Sequence, residues 1–175
     1  MSSNDAVIDK IIVARVGLLL RHPFFGNMAT RLKIEDGSEW CKTAATDGRT
    51  IFFNREFFSK LSVKHVEFVI AHEILHNVFD HMGRRESRDP SIFNIACDYC
   101  VNGQIVRDGI GDHNLPDNFK IFHEPKYYGM SAEEVYDKIF DDMDKQQLEA
   151  LGQLLDDHID WGDGDKDGKG RPKYS

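Results

Sequence analysis

His72-Glu73-Ile74-Leu75-His76 stands out in the 175-residue chain as a stretch whose residue types and spacing could do chemistry. On a helix, residues four apart differ by about 40° around the axis, so both imidazoles project from one face and can share a tetrahedral cation. Glu73 is turned about 100° from His72, which puts it beside such an ion and not on it. From there a carboxylate can take a proton from a metal-held water, which is the chemistry of hydrolysis. From the chain's own His and Glu frequencies, an HExxH arises by accident with a probability of roughly 2 in 100. Val69, Ile70 and Ala71 precede the motif, and Ile74, Leu75, Val78 and Phe79 are interleaved with it or follow it. That helix is apolar around most of its circumference and reads as buried, where two His and a Glu need partners or a metal.

A third ligand must come from elsewhere. His81 is nearest, but nine residues from His72 is about 180° away on a continuing helix. The extended HExxHxxGxxH pattern turns back through a Gly, and Asn77, Val78, Phe79 and Asp80 supply none. His81 therefore reads as a neighbour of the site, capping or buried, and not as a ligand. Asp98 fits better if the helices around Ala71 and Ile95 form an antiparallel hairpin. At 1.5 Å per residue, His72 and His76 lie roughly 15 and 9 Å below the end of the first helix, and Asp98 lies about 12 Å up the second. Asp98 also interrupts an apolar run, Ile92-Phe93-Asn94-Ile95-Ala96-Cys97, where an unpaired carboxylate is out of place. Asn102, one turn on, can hydrogen-bond a ligand His and hold its tautomer. Two alternatives stay open on the residues alone. Asp98 could form a salt bridge with Arg84, Arg85 or Arg107, or Cys97 and Cys100 could complete a His2Cys2 zinc site. Against the latter, a helical CxxC separates its thiols by about 300°, whereas zinc CxxC pairs sit in turns.

The elements that must position these residues can be read along the chain. Apolar spacing predicts a first helix over 4–21, stopped by His22-Pro23. Strands are expected at 28–35, 40–46 and 50–53, and Asp36-Gly37 and Asp47-Gly48 between them are hairpin signals, giving a small antiparallel sheet. Ser62 caps the long helix, 63–82, which ends at Gly83; Asp89-Pro90 opens the next, over 90–108. Ser131-Ala132-Glu133-Glu134 has capping-box spacing and starts a helix to 141, and 145–158 reads as a short amphipathic helix. This gives a domain over 1–160 and a charged Gly/Asp/Lys tail or linker over 161–175, read as disordered. Asp163 to Gly168 resembles the first half of an EF-hand loop, but Tyr174 stands where a bidentate Glu is needed.

Composition narrows the function classes. With 22 Lys+Arg against 30 Asp+Glu the net charge is −8, which argues against a nucleic-acid or anionic-membrane partner. The longest apolar stretch is broken by Arg15 and is too short for a bilayer, and Asp5, Asp9 and Arg15 spoil a secretory signal. Three cysteines make no disulfide framework, so the expectation is a reduced, cytoplasmic protein.

These residues resemble the metallopeptidase domain family of bacteria and phages that usually precedes a von Willebrand factor A-like domain. The resemblance covers 43–141 and is carried by Ala45-Thr46-Asp47-Gly48, Phe53-Asn54, the run from Ala71 to His76, His81, Arg84-Arg85, Phe93 to Tyr99, Asn102, and Tyr128 to Tyr136. The site is also similar to a compact gluzincin site. That resemblance implies a zincin-like α+β fold, with the small antiparallel sheet packed on a helical core holding the HExxH helix and a second, antiparallel ligand helix. It implies His72 and His76 as zinc ligands, Glu73 as general base, Asp98 as acidic ligand where gluzincins have Glu, and Asn102 in place of their Asp. A polypeptide substrate is implied, together with a von Willebrand factor A-like partner or missing C-terminal domain whose linker begins near Asp163.

The function expected is zinc-dependent peptide hydrolysis. Its alternatives are a metal-stabilised interaction module without turnover and a zinc hydrolase of non-peptide amides. Tyr127, Tyr128, His113 and His123 are candidate oxyanion donors, and the strand at 50–53 is a candidate edge for an added substrate strand.

Overall fold

The first helix ends at a proline that also starts the second. In the computed structural model, which describes residues 5–79 and 81–142 apart from the side chains of His81 and Met82, α1 (Ala6–Arg21) is followed directly by α2 (Pro23–Arg31). Asp5 caps α1, accepting from the Ile8 N–H at 3.1 Å. Pro23 occupies the first turn of α2, where its missing N–H costs nothing. Phe25 and Ala29 give α2 a buried face. Gly26 lets the two helices cross closely, since a Cβ there would fall 2.2 Å from the Leu19 Cα. The strand expected at 28–35 is thus shortened to β1 (Lys33–Asp36).

The sheet is mixed, not antiparallel. It comprises β1, β2 (Ala44–Thr46) and β3 (Thr50–Phe53) in the order β1-β3-β2. Asp47-Gly48 does make the expected hairpin: Gly48 has φ +91°, and β2 pairs antiparallel with β3. Asp36-Gly37 does not. Gly37 donates to the Phe53 carbonyl and accepts from Trp40 and Cys41, and the chain then loops so that β1 lies parallel to β3. Because β3 is central, both its edges are taken, and it has no free edge on which a substrate strand could add.

Asn54 caps the short α3 (Arg55–Ser59), which the sequence reading missed. The long α4 (Val63–Phe79) is capped as expected: Ser62 Oγ accepts from the His65 N–H, and His65 Nδ1 accepts from the Ser62 N–H. Asp80 lies outside the described residues, helical backbone is described again over α5 (His81–Arg84), and Gly83, expected to end the helix, lies within it. Asp89 caps α6 (Pro90–Arg107), and Ser131 and Glu134 cap α7 (Ala132–Asp142) reciprocally. The helix expected at 145–158, the tail from 161 and its EF-hand-like run lie outside the described residues.

α4 forms the core. Val66, Phe68, Val69, Ile70, Ala71, Ile74 and Leu75 are all buried, against α1 on one side and α6 on another. α7 packs on α6 through Val135 and Ile139 against Ile95 and Ala96. No helix among the described residues is long and apolar enough to cross a membrane.

Candidate metal centre

The pairs His72 with Asn102 and His76 with Asp98 run in opposite numerical order, so α4 and α6 are antiparallel where they face each other. His76 Nε2 lies 3.0 Å from His72 Nε2 and 3.1 Å from Asp98 Oδ1. His72 Nε2 is 3.4 Å from that same oxygen. Three donors each about 2.0–2.1 Å from a tetrahedral ion lie about 3.3 Å from one another, so this spacing fits a single small cation. Among the described residues these three form the one His, Cys, Asp or Glu group whose ligand atoms all lie within 4.8 Å of one another.

Asn102 sets the orientation of His72. Its Nδ2 donates to the Phe122 carbonyl at 3.0 Å, so its Oδ1, 2.8 Å from His72 Nδ1, is left as the acceptor. The proton is thereby assigned to Nδ1, and Nε2 turns its lone pair toward His76 and Asp98.

The site is sealed and short of positive charge. His72 is 0% exposed, and Glu73, His76 and Asp98 are each 1% exposed. Burial pushes His72 down to about 4, helped by its neighbour His76 and opposed by Asp98, and pushes His76 down to about 3. Both imidazoles are therefore neutral, as metal ligands must be. Burial lifts Asp98 to about 6, opposed by the His72 imidazole beside it. It lifts Glu73 well above the usual carboxylate range, with the charge of Asp98 adding to it. Asp98 Oδ2 and Glu73 Oε2 are buried without a hydrogen-bond partner. Such orphaned carboxylate oxygens are expensive, and a dication beside them reverses the cost by favouring the ionised forms.

The ion pairs of Asp98 among the described residues are with His72 and His76 and with none of Arg84, Arg85 and Arg107. Arg84 is held by Glu133 and by the Phe79 carbonyl, and Arg107 lies over the Tyr128 ring at 4.9 Å. Cys97 packs with Phe93 and Ala132, while Cys100 donates to the Met130 carbonyl. Burial raises both thiols, Cys100 to about 12, so neither is a ready thiolate ligand. His81 belongs to α5, and its side chain lies outside the described residues. His123 Nε2 is hydrogen-bonded to the Tyr128 hydroxyl, with the His113 ring 5.6 Å from that of His123, so these three form their own cluster. Tyr127 is buried, and its hydroxyl has no hydrogen-bond partner.

Sequence reasoning missed what holds the motif helix to the sheet. Asn77 Nδ2 donates to Thr46 Oγ1 at 3.1 Å, Thr46 Oγ1 donates to the Thr50 carbonyl, and the Gly48 N–H donates back to Thr46. A polar residue directly after HExxH and a Thr directly before Asp-Gly were the available signals. The Phe122 carbonyl had none, because a backbone partner leaves no mark on residue type.

A family model described as "Putative metallopeptidase domain" matches residues 9–174. The chain belongs to this family. The match covers His72, Glu73, His76, Asp98 and Asn102 and extends well beyond the stretch that carried the resemblance in sequence. No curated protein and no solved structure matches the chain. Family membership and the His72–His76–Asp98 group together point to a metal-dependent hydrolase.

Proposed function

We propose that the chain is a zinc-dependent peptidase in which His72, His76 and Asp98 would hold the ion and Glu73 handles the proton. The observation that carries this reading is the convergence of three ligand atoms at 3.0–3.4 Å, with a buried carboxylate one residue from His72 on the same helix. Two imidazoles and one carboxylate leave the fourth tetrahedral position free, the donor pattern of catalytic zinc sites. When bound, the ion supplies Lewis-acid chemistry, making water a better proton donor and a peptide carbonyl a better electrophile.

The chain's own residues do the rest. Asn102 keeps the His72 Nε2 lone pair directed into the site. Glu73 Oε2, which has no competing hydrogen bond, accepts a proton from the attacking water and delivers it to the leaving amine nitrogen. The apolar walls around α4 exclude bulk water and strengthen these charge interactions.

The burial of all four side chains favours a second reading, a metal-stabilised module without turnover. Under the first reading, a polypeptide reaches Glu73 only when the covering segments part. Glu73→Gln separates the two. A peptidase retains zinc and fold but loses cleavage of an unfolded polypeptide by roughly 10²–10⁴-fold, scored as new N-termini by mass spectrometry. A structural site shows no cleavage before or after the substitution, and cleavage that survives it removes Glu73 from the mechanism. A hydrolase of small non-peptide amides yields no new termini.

A further inference from the structure

α1 buries one face and leaves a second apolar face bare. Val7, Ile11, Ala14 and Leu18 are buried, while Ile12, Val13, Val16, Leu19 and Leu20 are 41–75% exposed, and Phe24 at the start of α2 continues the patch. Ile12, Val16, Leu19 and Leu20 fall at i, i+4, i+7 and i+8, one face of a helix. Beside them a groove of about 160 Å³ is lined by Ile12, Arg15, Val16, Leu19 and Thr30. Soluble monomers seldom leave so contiguous an apolar patch uncovered.

Charge narrows the occupant. In a chain of net charge −8, α1 and α2 carry Lys10, Arg15, Arg21 and Arg31 against Asp9 alone; Arg21 pairs with Glu67 and Lys10 donates to the Phe58 carbonyl, while Arg15 lines the groove itself. Two such faces packed on each other would oppose like charges, and a concave groove on an acidic chain suits a ridge of side chains better than an anionic bilayer. Residues 143–158 have the complementary pattern: Leu148, Leu151, Leu154 and Leu155 among Asp144, Glu149, Asp156 and Asp157, with Lys145 the one basic residue. The family match continues through residue 174, so this stretch is part of the matched domain.

We propose that the bare face of α1 is covered by residues 143–158 of a second copy of the chain, a head-to-tail contact. Sedimentation velocity of the full chain over a range of concentrations tests it. The wild type shifts to larger species as concentration rises, and Val16→Asp and Leu151→Asp each lose that shift. Mixed in equal amounts, the two variants form a 1:1 dimer, because one keeps an intact segment and the other an intact α1 face. Leu20→Asp replaces Val16→Asp if the latter fails to fold by circular dichroism. A wild type that stays monomeric overturns the proposal, as does association that survives Leu151→Asp, a mixture that stays monomeric, or a monomeric wild type that cosediments with phosphatidylserine vesicles.

Discussion

His72 Nδ1 stands 2.8 Å from Asn102 Oδ1, and the Asn102 amide is itself pinned by the Phe122 carbonyl. A side chain on α6 and a backbone group beyond it thus decide which nitrogen of His72 is free to bind an ion. Asn102→Leu removes the acceptor and leaves the ring unanchored. Metal affinity, measured by competition with a chromogenic chelator, falls roughly 10–100-fold. Affinity within a factor of two of wild type contradicts this role.

Asp98→Ala removes a proposed ligand, and the purified chain is expected to lose stoichiometric metal by elemental analysis. His81→Ala keeps it. The reverse pattern would mean that His81 Nε2 or Nδ1 turns into the site, which a continuing α4 could not achieve.

Metal removal lowers stability. If an ion binds the folded chain and not the unfolded one, free metal at about 100 times Kd adds about 2.7 kcal/mol. A chelator therefore lowers Tm in wild type and leaves Asp98→Ala unchanged in thermal melts. An equal fall in both would place the stabilising ion elsewhere.

Thr46→Val tests the tie between the β2–β3 hairpin and the motif helix. It strands Asn77, whose Oδ1 is already buried without a partner. The expected loss is about 1–3 kcal/mol in urea unfolding, with metal affinity reduced as well, since Asn77 adjoins His76 in sequence.

The Arg84 guanidinium holds the Glu133 carboxyl below its ordinary value of 4.5. A carboxyl with a depressed folded pKa contributes stability that is present above pH 4.5 and is lost as pH falls through the lower folded value. Both side chains are about one-third exposed, so the contribution is about 0.5–1 kcal/mol. Glu133→Gln flattens that part of the acid limb, and an unchanged acid limb contradicts the assignment.

Helical periodicity made the site readable. HExxH sets His72 and His76 on one face, and 1.5 Å per residue puts Asp98 level with them across an antiparallel pair, with Asn102 one turn on. The structure has Asp98 beside His76 and Asn102 beside His72. The parts that eluded the sequence are those decided at a distance. Pro23 reads locally as a stop, and only the packing of Phe25 and Gly26 against α1 makes it a start. The parallel β1–β3 pairing has no turn signal, because its two strands are joined through β2. The sealing of His72 and Asp98 depends on how α4, α6 and their neighbours close over them, which no spacing encodes.

X-ray absorption at the zinc edge on the purified full chain tests the central claim most directly. One equivalent of zinc coordinated only by nitrogen and oxygen at about 2.0–2.2 Å, with the multiple scattering of two imidazoles, is the result expected for His72, His76 and Asp98. A sulfur shell at about 2.3 Å would move the ion to Cys97 and Cys100, and either that or the absence of a stoichiometric zinc site contradicts the account.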